Sequence, residues 1–136
     1  MNGKKILIVD DDKEMLLGLT VRLRANGYDV TSASDGIAAI AATRKDKPDL
    51  MILDLGLPAG DGFQVLEWLR RNPDWVSIPV VVLTAQVPMR NKVRSFLSGA
   101  EAFLQKPVEN QELMLTISEV LRNRDRVQTL AKHGNT

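Results

Sequence analysis

Five apolar runs recur along the chain: ILIV (6–9), YDVTSA (28–33), LMILDL (50–55), IPVVVL (78–83) and AFL (102–104). Between them lie segments with apolar residues at helical spacing. Residues 13–26 set Met15, Leu16, Leu19 and Leu23 on one face and stop at Asn26-Gly27. Residues 36–46 carry Ile37, Ala38, Ile40 and Ala41, and Pro48 bars continuation. Residues 63–71 carry Phe63, Val65, Leu66 and Leu69, stopped at Asn72-Pro73. Residues 89–98 carry Met89, Val93, Phe96 and Leu97 and end at Gly99, and a last helix starts near Glu109 with Leu113, Ile117, Val120 and Leu121. Unbroken apolar strands such as 6–9 suit burial on both faces. Strand and helix alternating five times predict an α/β fold, a parallel sheet with helices on both faces and right-handed crossovers. In such folds ligands sit at the carboxyl ends of the strands.

The first strand runs straight into Asp10, Asp11 and Asp12. Two like charges about 4 Å apart repel by roughly 4 kcal/mol at an effective dielectric near 20, so this cluster needs something to offset it. Either Asp12 caps the next helix while the other two face water, or the strand end holds a cation. The other strand ends bear on the choice. The third run contains Asp54, the fourth is followed by Thr84-Ala85, and the fifth by Gln105 and Lys106-Pro107, whereas Ser32-Ala33-Ser34 closes the second. Three carboxylates, a hydroxyl and an ammonium converge on one sheet edge. Oxygen ligands of this kind suit Mg²⁺, which binds one or two carboxylates plus phosphate. A carboxylate such as Asp54, costly in an apolar run without a role, can act as a nucleophile and form an acyl phosphate. Lys106 and Thr84 are then the groups to meet the phosphoryl oxygens. The plain alternatives are Thr84 as a helix cap and Lys106 as a surface lysine before a turn.

Composition excludes several other chemistries. The 136 residues suffice for one domain with a real core, and 44% hydrophobic with 26% charged residues is ordinary for a globular chain. With no cysteine and a single histidine, His133, in a polar tail, thiolate metal sites, disulfides, a histidine zinc site and a Ser-His-Asp triad drop out. No apolar stretch approaches the roughly 18 residues of a membrane helix and no signal peptide precedes the first strand, so a cytoplasmic protein is the expectation. Residues 1–119 carry 14 Lys+Arg against 16 Asp+Glu, while residues 120–136 carry Arg122, Arg124, Arg126 and Lys132 against Asp125. The body is therefore not a nucleic-acid-binding surface, and four cations in the tail more commonly mark a solvated helix face.

Over about residues 4–121 the chain resembles the receiver domain of two-component response regulators. The resemblance rests on ILIVDDD, LMILDLGLPAGDG, VVLTA and FLQKP, in that order and at the family's spacing. It implies a doubly wound, five-stranded parallel sheet, the (βα)5 flavodoxin-like receiver fold, with the receiver at residues 1–121 and a basic helical extension or disordered tail at 122–136. It further implies Asp54 as phosphoacceptor, and Mg²⁺ held by Asp11, Asp54 and the backbone carbonyl of Gly56, with Asp10 acting through water. Lys106 is implied to pair with the phosphoryl group, Thr84 and Phe103 to form the switch, and Lys106-Pro107 to be cis. Pro58 and Asp61-Gly62 match the loop after the phosphoacceptor. Gly56 and Gln86 occupy the two positions that tune dephosphorylation in the family, and Gly56 leaves water less obstructed. The implied partner is a phosphohistidine on a histidine kinase or phosphotransfer protein, and the receiver would catalyse its own phosphorylation and dephosphorylation. Activation would draw Thr84 inward, let Phe103 fill the space and reshape the face of the fourth helix, fifth strand and fifth helix.

Placing Leu113, Val120 and Val127 at one heptad position puts Thr116, Asn123 and Leu130 at the other, a partly polar seam over few repeats. The tail is thus either a frayed basic helix, disordered from His133 to Thr136, or a signalling helix that dimerises or leads into an effector. A homodimer could form through it or through the fourth-helix face. Three rivals fit less well. A haloacid-dehalogenase-type phosphatase wants a second Asp where Gly56 stands. A flavodoxin-like cofactor binder wants a phosphate loop where three aspartates stand. A phosphorylation-independent module usually lacks one of the acids or the lysine.

Overall fold

The computed structural model describes residues 3–58, 61–85 and 89–134. Its elements alternate as β1 (Lys5–Val9), α1 (Lys13–Ala25), β2 (Asp29–Ala33), α2 (Gly36–Asp46), β3 (Leu50–Leu53), α3 (Asp61–Arg71), β4 (Val80–Thr84), α4 (Met89–Leu97), β5 (Ala102–Gln105) and α5 (Asn110–Gly134). The strands form one parallel sheet in the order β2-β1-β3-β4-β5. Order reverses between β1 and β3, where Ile6 pairs with Leu50 and Val9 with Leu53. Both faces of the central strands are covered, which is why they read as continuous apolar runs. Leu7, Val9, Met51, Leu53, Val80 and Val82 pack with α2 and α3 residues on one side. Ile6, Ile8, Leu50, Ile52, Val81 and Leu83 pack with α1 and α5 on the other.

Helix boundaries follow local chemistry. Asp12 and Asp35 cap α1 and α2, accepting from the backbone of Glu14 and Met15, and of Ala38. α2 stops at Asp46, with Lys47 in the left-handed region (φ 49°) just before Pro48. Two helices depart from expectation in the face they bury. On α2 the buried residues are Gly36, Ala39 and Thr43, while Ile37 is 85% exposed. On α4 the spacing predicts a buried stripe of Met89, Val93, Phe96 and Leu97, yet these are exposed and Ser95 is the helix's buried residue. Periodicity identifies an apolar stripe but not the surface that covers it. The last helix also differs. It runs through Gly134, past the point where sequence predicts disorder to begin; Asn135 and Thr136 lie outside the described residues. Leu113 is fully buried against the sheet, so it cannot belong to an intermolecular heptad seam. Among the described residues no helix is long and apolar enough to cross a membrane.

Candidate phosphoacceptor site

The reversal of strand order opens a crevice at the carboxyl ends of β1 and β3. Asp54 lies just past the last residue of β3 rather than inside the strand, and its N–H still donates to the Val9 carbonyl (2.9 Å). Asp10 follows β1 in the same way, donating to Ala33 (3.1 Å), and Lys106 follows β5, donating to Thr84 (2.7 Å). These three strands thus each hand one polar side chain to the edge just where the strand ends, and β4 adds Thr84 as its last residue.

These side chains meet. Asp54 Oδ1 accepts from the Thr84 hydroxyl (2.7 Å) and the Gly56 N–H (2.8 Å), and its Oδ2 accepts from Lys106 Nζ (3.2 Å). Lys106 Nζ also donates to Asp10 Oδ2 (2.7 Å). The Thr84 hydroxyl therefore serves Asp54 rather than capping a helix. The three aspartates divide sharply. Asp10 is 2% exposed, Asp11 is exposed to solvent, and Asp12 is the cap of α1. One oxygen each of Asp10, Asp11 and Asp54 lies within 4.8 Å of the others.

One ammonium faces three carboxylates here. Burial pushes the Asp10 carboxyl above its ordinary range, against the opposing pull of Lys106 and of the Asp12 N–H. Burial would lower Lys106, but the hydrogen bond to Asp10 and the charges of Asp54 and Asp10 outweigh it, so Lys106 is raised and stays protonated. An additional cation would relieve this imbalance, and the oxygen-only donor set suits a hard divalent ion.

Phe103 is half-buried, its ring centroid 6.4 Å from that of Phe96 and 5.5 Å from Lys92 Nζ. Nothing in the sequence singled out Lys92, because a helical lysine has no signature. Gly62 was visible only as part of Asp61-Gly62. A Cβ there would sit 2.7 Å from the Asp54 carbonyl oxygen, so the glycine lets α3 close against the site. Lys106-Pro107 is cis. Gln86 lies outside the described residues.

A five-stranded parallel sheet of this order, with acids at the β1–β3 crevice and a lysine after β5, defines a receiver. The chain belongs to the response regulator receiver domain family, which it matches over residues 6–118. It is 41% identical over 130 residues to the DNA-binding dual master transcriptional regulator RpaA of Synechocystis, covering 96% of this chain and 54% of that protein. It is 37% identical over 120 residues to the alkaline phosphatase synthesis transcriptional regulatory protein PhoP of Bacillus subtilis, covering 88% of this chain and 49% of that one. The chain spans about half the length of the curated relatives it matches. A CheY-like receiver domain from Methanospirillum hungatei superposes with TM-score 0.85 at 29% identity, over 92% of this chain and 98% of that one. A response regulator from Chloroflexus aurantiacus gives 0.83 at 36%, over 89% and 99%.

Proposed function

We propose that this receiver accepts a phosphoryl group on Asp54 from a phosphohistidine on a histidine kinase or phosphotransfer protein. The observation that carries the reading is the convergence of Thr84, Lys106 and the Gly56 N–H on the two oxygens of one buried carboxylate. An Asp54 oxygen attacks phosphorus, the P–N bond breaks, and its electron pair returns to the imidazole. Asp10, Asp11, Asp54 and the Gly56 carbonyl would hold Mg²⁺, which supplies charge neutralisation for the phosphoryl oxygens. Lys106 and Thr84 are the protein's own donors to those oxygens. With no side chain at Gly56, hydrolysis of the acyl phosphate is not screened from that direction.

Phosphorylation adds about −1.5 to −2 charges at Asp54, by analogy with other phospho-residues. Thr84 already reaches Asp54 here (2.7 Å), so phosphorylation would favour this inward Thr84, with Phe103 beneath α4, over a state in which Thr84 is turned out. The α4-β5-α5 face is then the output, to a partner or a second copy, with the C-terminal helix as the other route to a homodimer. Residues 1–121 would then be the receiver and the basic stretch from residue 122 its extension, which α5 continues as helix through Gly134. The relatives' names and lengths support reading this as the receiver portion of a transcriptional regulator, with DNA contacts made outside the receiver.

Incubation with Mg²⁺ and a small-molecule phosphodonor, read by intact mass, tests the assignment. The expected result is a gain of one phosphoryl group, lost in Asp54→Ala and when Mg²⁺ is chelated. A folded protein that takes up no phosphoryl group, or an Asp54→Ala protein that takes it up equally, would overturn it.

A further inference from the structure

The third aspartate is adjacent to the site but turned away from it. Asp12 Oδ1 accepts from the backbone N–H of Glu14 (3.0 Å) and Met15 (3.2 Å), and its carbonyl accepts from Leu16 (3.0 Å). The residue is committed to starting α1. Its own N–H points back and donates to Asp10 Oδ1 (2.9 Å), while Lys106 occupies Asp10 Oδ2 (2.7 Å). The Asp10 carboxylate is therefore gripped at both oxygens, once by an ammonium and once by a backbone amide. That amide lies in the peptide plane joining Asp11 to Asp12, whose angle to the start of α1 is set by φ of residue 12 (−86°).

We infer that Asp12 is a positioning residue. Its side chain does not ligate the metal; by capping α1 it fixes the backbone amide that orients Asp10 toward the cation. The inference rests on the proposed metal-dependent phosphoacceptor reading. Removal of the cap lets the first turn of α1 fray, residue 12 and its amide are no longer held in place, and the Asp10 carboxylate loses one of its two holds. Partners that orient groups at a metal site typically contribute on the order of 10-fold or more to affinity. Asn and Ser cap helices about as well as Asp. They therefore separate the cap from the charge.

Two measurements on Asp12→Ala, Asp12→Asn and Asp12→Ser test this. In the metal-free protein, amide hydrogen exchange at residue 12 should be protected in the wild type, Asp12→Asn and Asp12→Ser. Protection should fall in Asp12→Ala and in Asp10→Ala. Mg²⁺ titration by calorimetry should give an affinity roughly tenfold weaker for Asp12→Ala and within about twofold of wild type for the Asn and Ser variants. Equal loss in all three variants would make Asp12 a source of negative charge rather than a cap, and would overturn the inference. So would unchanged exchange and affinity in Asp12→Ala. A wild type that binds no Mg²⁺ would instead defeat the metal reading, and the exchange arm would still decide whether the cap orients Asp10.

Discussion

Asp10 shows how a single buried carboxylate makes function costly. Its folded-state pKa lies above the ordinary 3.8, with burial the main cause. A carboxyl raised in this way binds its proton more tightly folded than unfolded, so its ionised form costs stability above the raised value. The cost is relieved as pH falls toward 3.8. Asp10→Asn should therefore raise the thermal midpoint of the metal-free protein at neutral pH, and the gain should shrink when the melts are repeated near pH 4. Mg²⁺ should act in the same direction: at about ten times its dissociation constant it adds roughly 1.4 kcal/mol to wild-type stability. That increment should be lost in Asp11→Asn, as differential scanning fluorimetry would show. Gly62 makes the opposite kind of statement. A Cβ would lie 2.7 Å from the Asp54 carbonyl oxygen and 2.8 Å from Leu55 Cα, both backbone atoms that cannot swing aside. Gly62→Ala should cost about 1–3 kcal/mol in denaturant unfolding, and it should slow phosphoryl uptake by displacing Asp54.

Among the elements, α3 and α4 contrast most. α3 buries Phe63, Val65, Leu66 and Leu69. α4 instead rests on charged and aromatic contacts: Arg94 lies 4.0 Å over the Phe63 ring and 3.4 Å from Glu67, and Lys92 lies over Phe103. Such exposed cation–π contacts are worth only about 0.5–1 kcal/mol each. Arg70 braces the turn after α4, donating to the carbonyls of Val76 (2.6 Å), Ile78 (3.3 Å) and Gly99 (2.7 Å). The helix is thus held firmly at its end and weakly along its length, which suits the shift that the proposed phosphoryl switch asks of it. Leu66→Ala should cost about 2–5 kcal/mol, whereas Leu97→Ala, at a residue 84% exposed, should stay within about 0.5 kcal/mol. Native-state hydrogen exchange should show α4 amides opening well before those of α3.

At the scale of the molecule, α5 is the outlier. Its 25 residues span about 37 Å, twice the height of the sheet. Leu113, Ile117 and Leu121 anchor its first half in the core. The next turn is tied beneath the sheet by Arg124, which donates to the carbonyl and side chain of Asp49 (both 3.1 Å), and by Asp125, 3.4 Å from Lys4. Asp49 also accepts from the Lys5 N–H (2.8 Å), so this contact joins β1, β3 and α5. Beyond it Val127 and Leu130 are exposed. Arg124→Ala should remove helicity from the last ten or so residues by circular dichroism and lower stability by about 1–3 kcal/mol, since it takes the cationic partner from a partly buried carboxylate and leaves Asp49, among the described residues, only the Lys5 N–H.

The alternation of strands and helices was legible because buried parallel strands demand unbroken apolar runs, and glycine, proline and capping aspartates stop helices wherever they stand. The five polar groups at the strand ends were legible for a related reason: an acid, hydroxyl or lysine ending an apolar run is costly unless it meets a partner. Those are local consequences of burial and backbone chemistry, and the sequence alone determines them. Asp12 as the cap of α1 was one of two readings the sequence offered, and the structure bears it out; the burial of Asp10 against Lys106 was not readable, because neighbouring carboxylates are chemically identical until a distant cation selects one. Nor was the exposure of the α4 stripe, the burial of Leu113 or the tie between Arg124 and Asp49. Each depends on residues far apart in the chain being brought together, 96 positions for Lys106 and Asp10 and 75 for Arg124 and Asp49. Only the tertiary structure decides which surface covers a stripe and which charge finds a partner, because those energies arise between elements rather than within them.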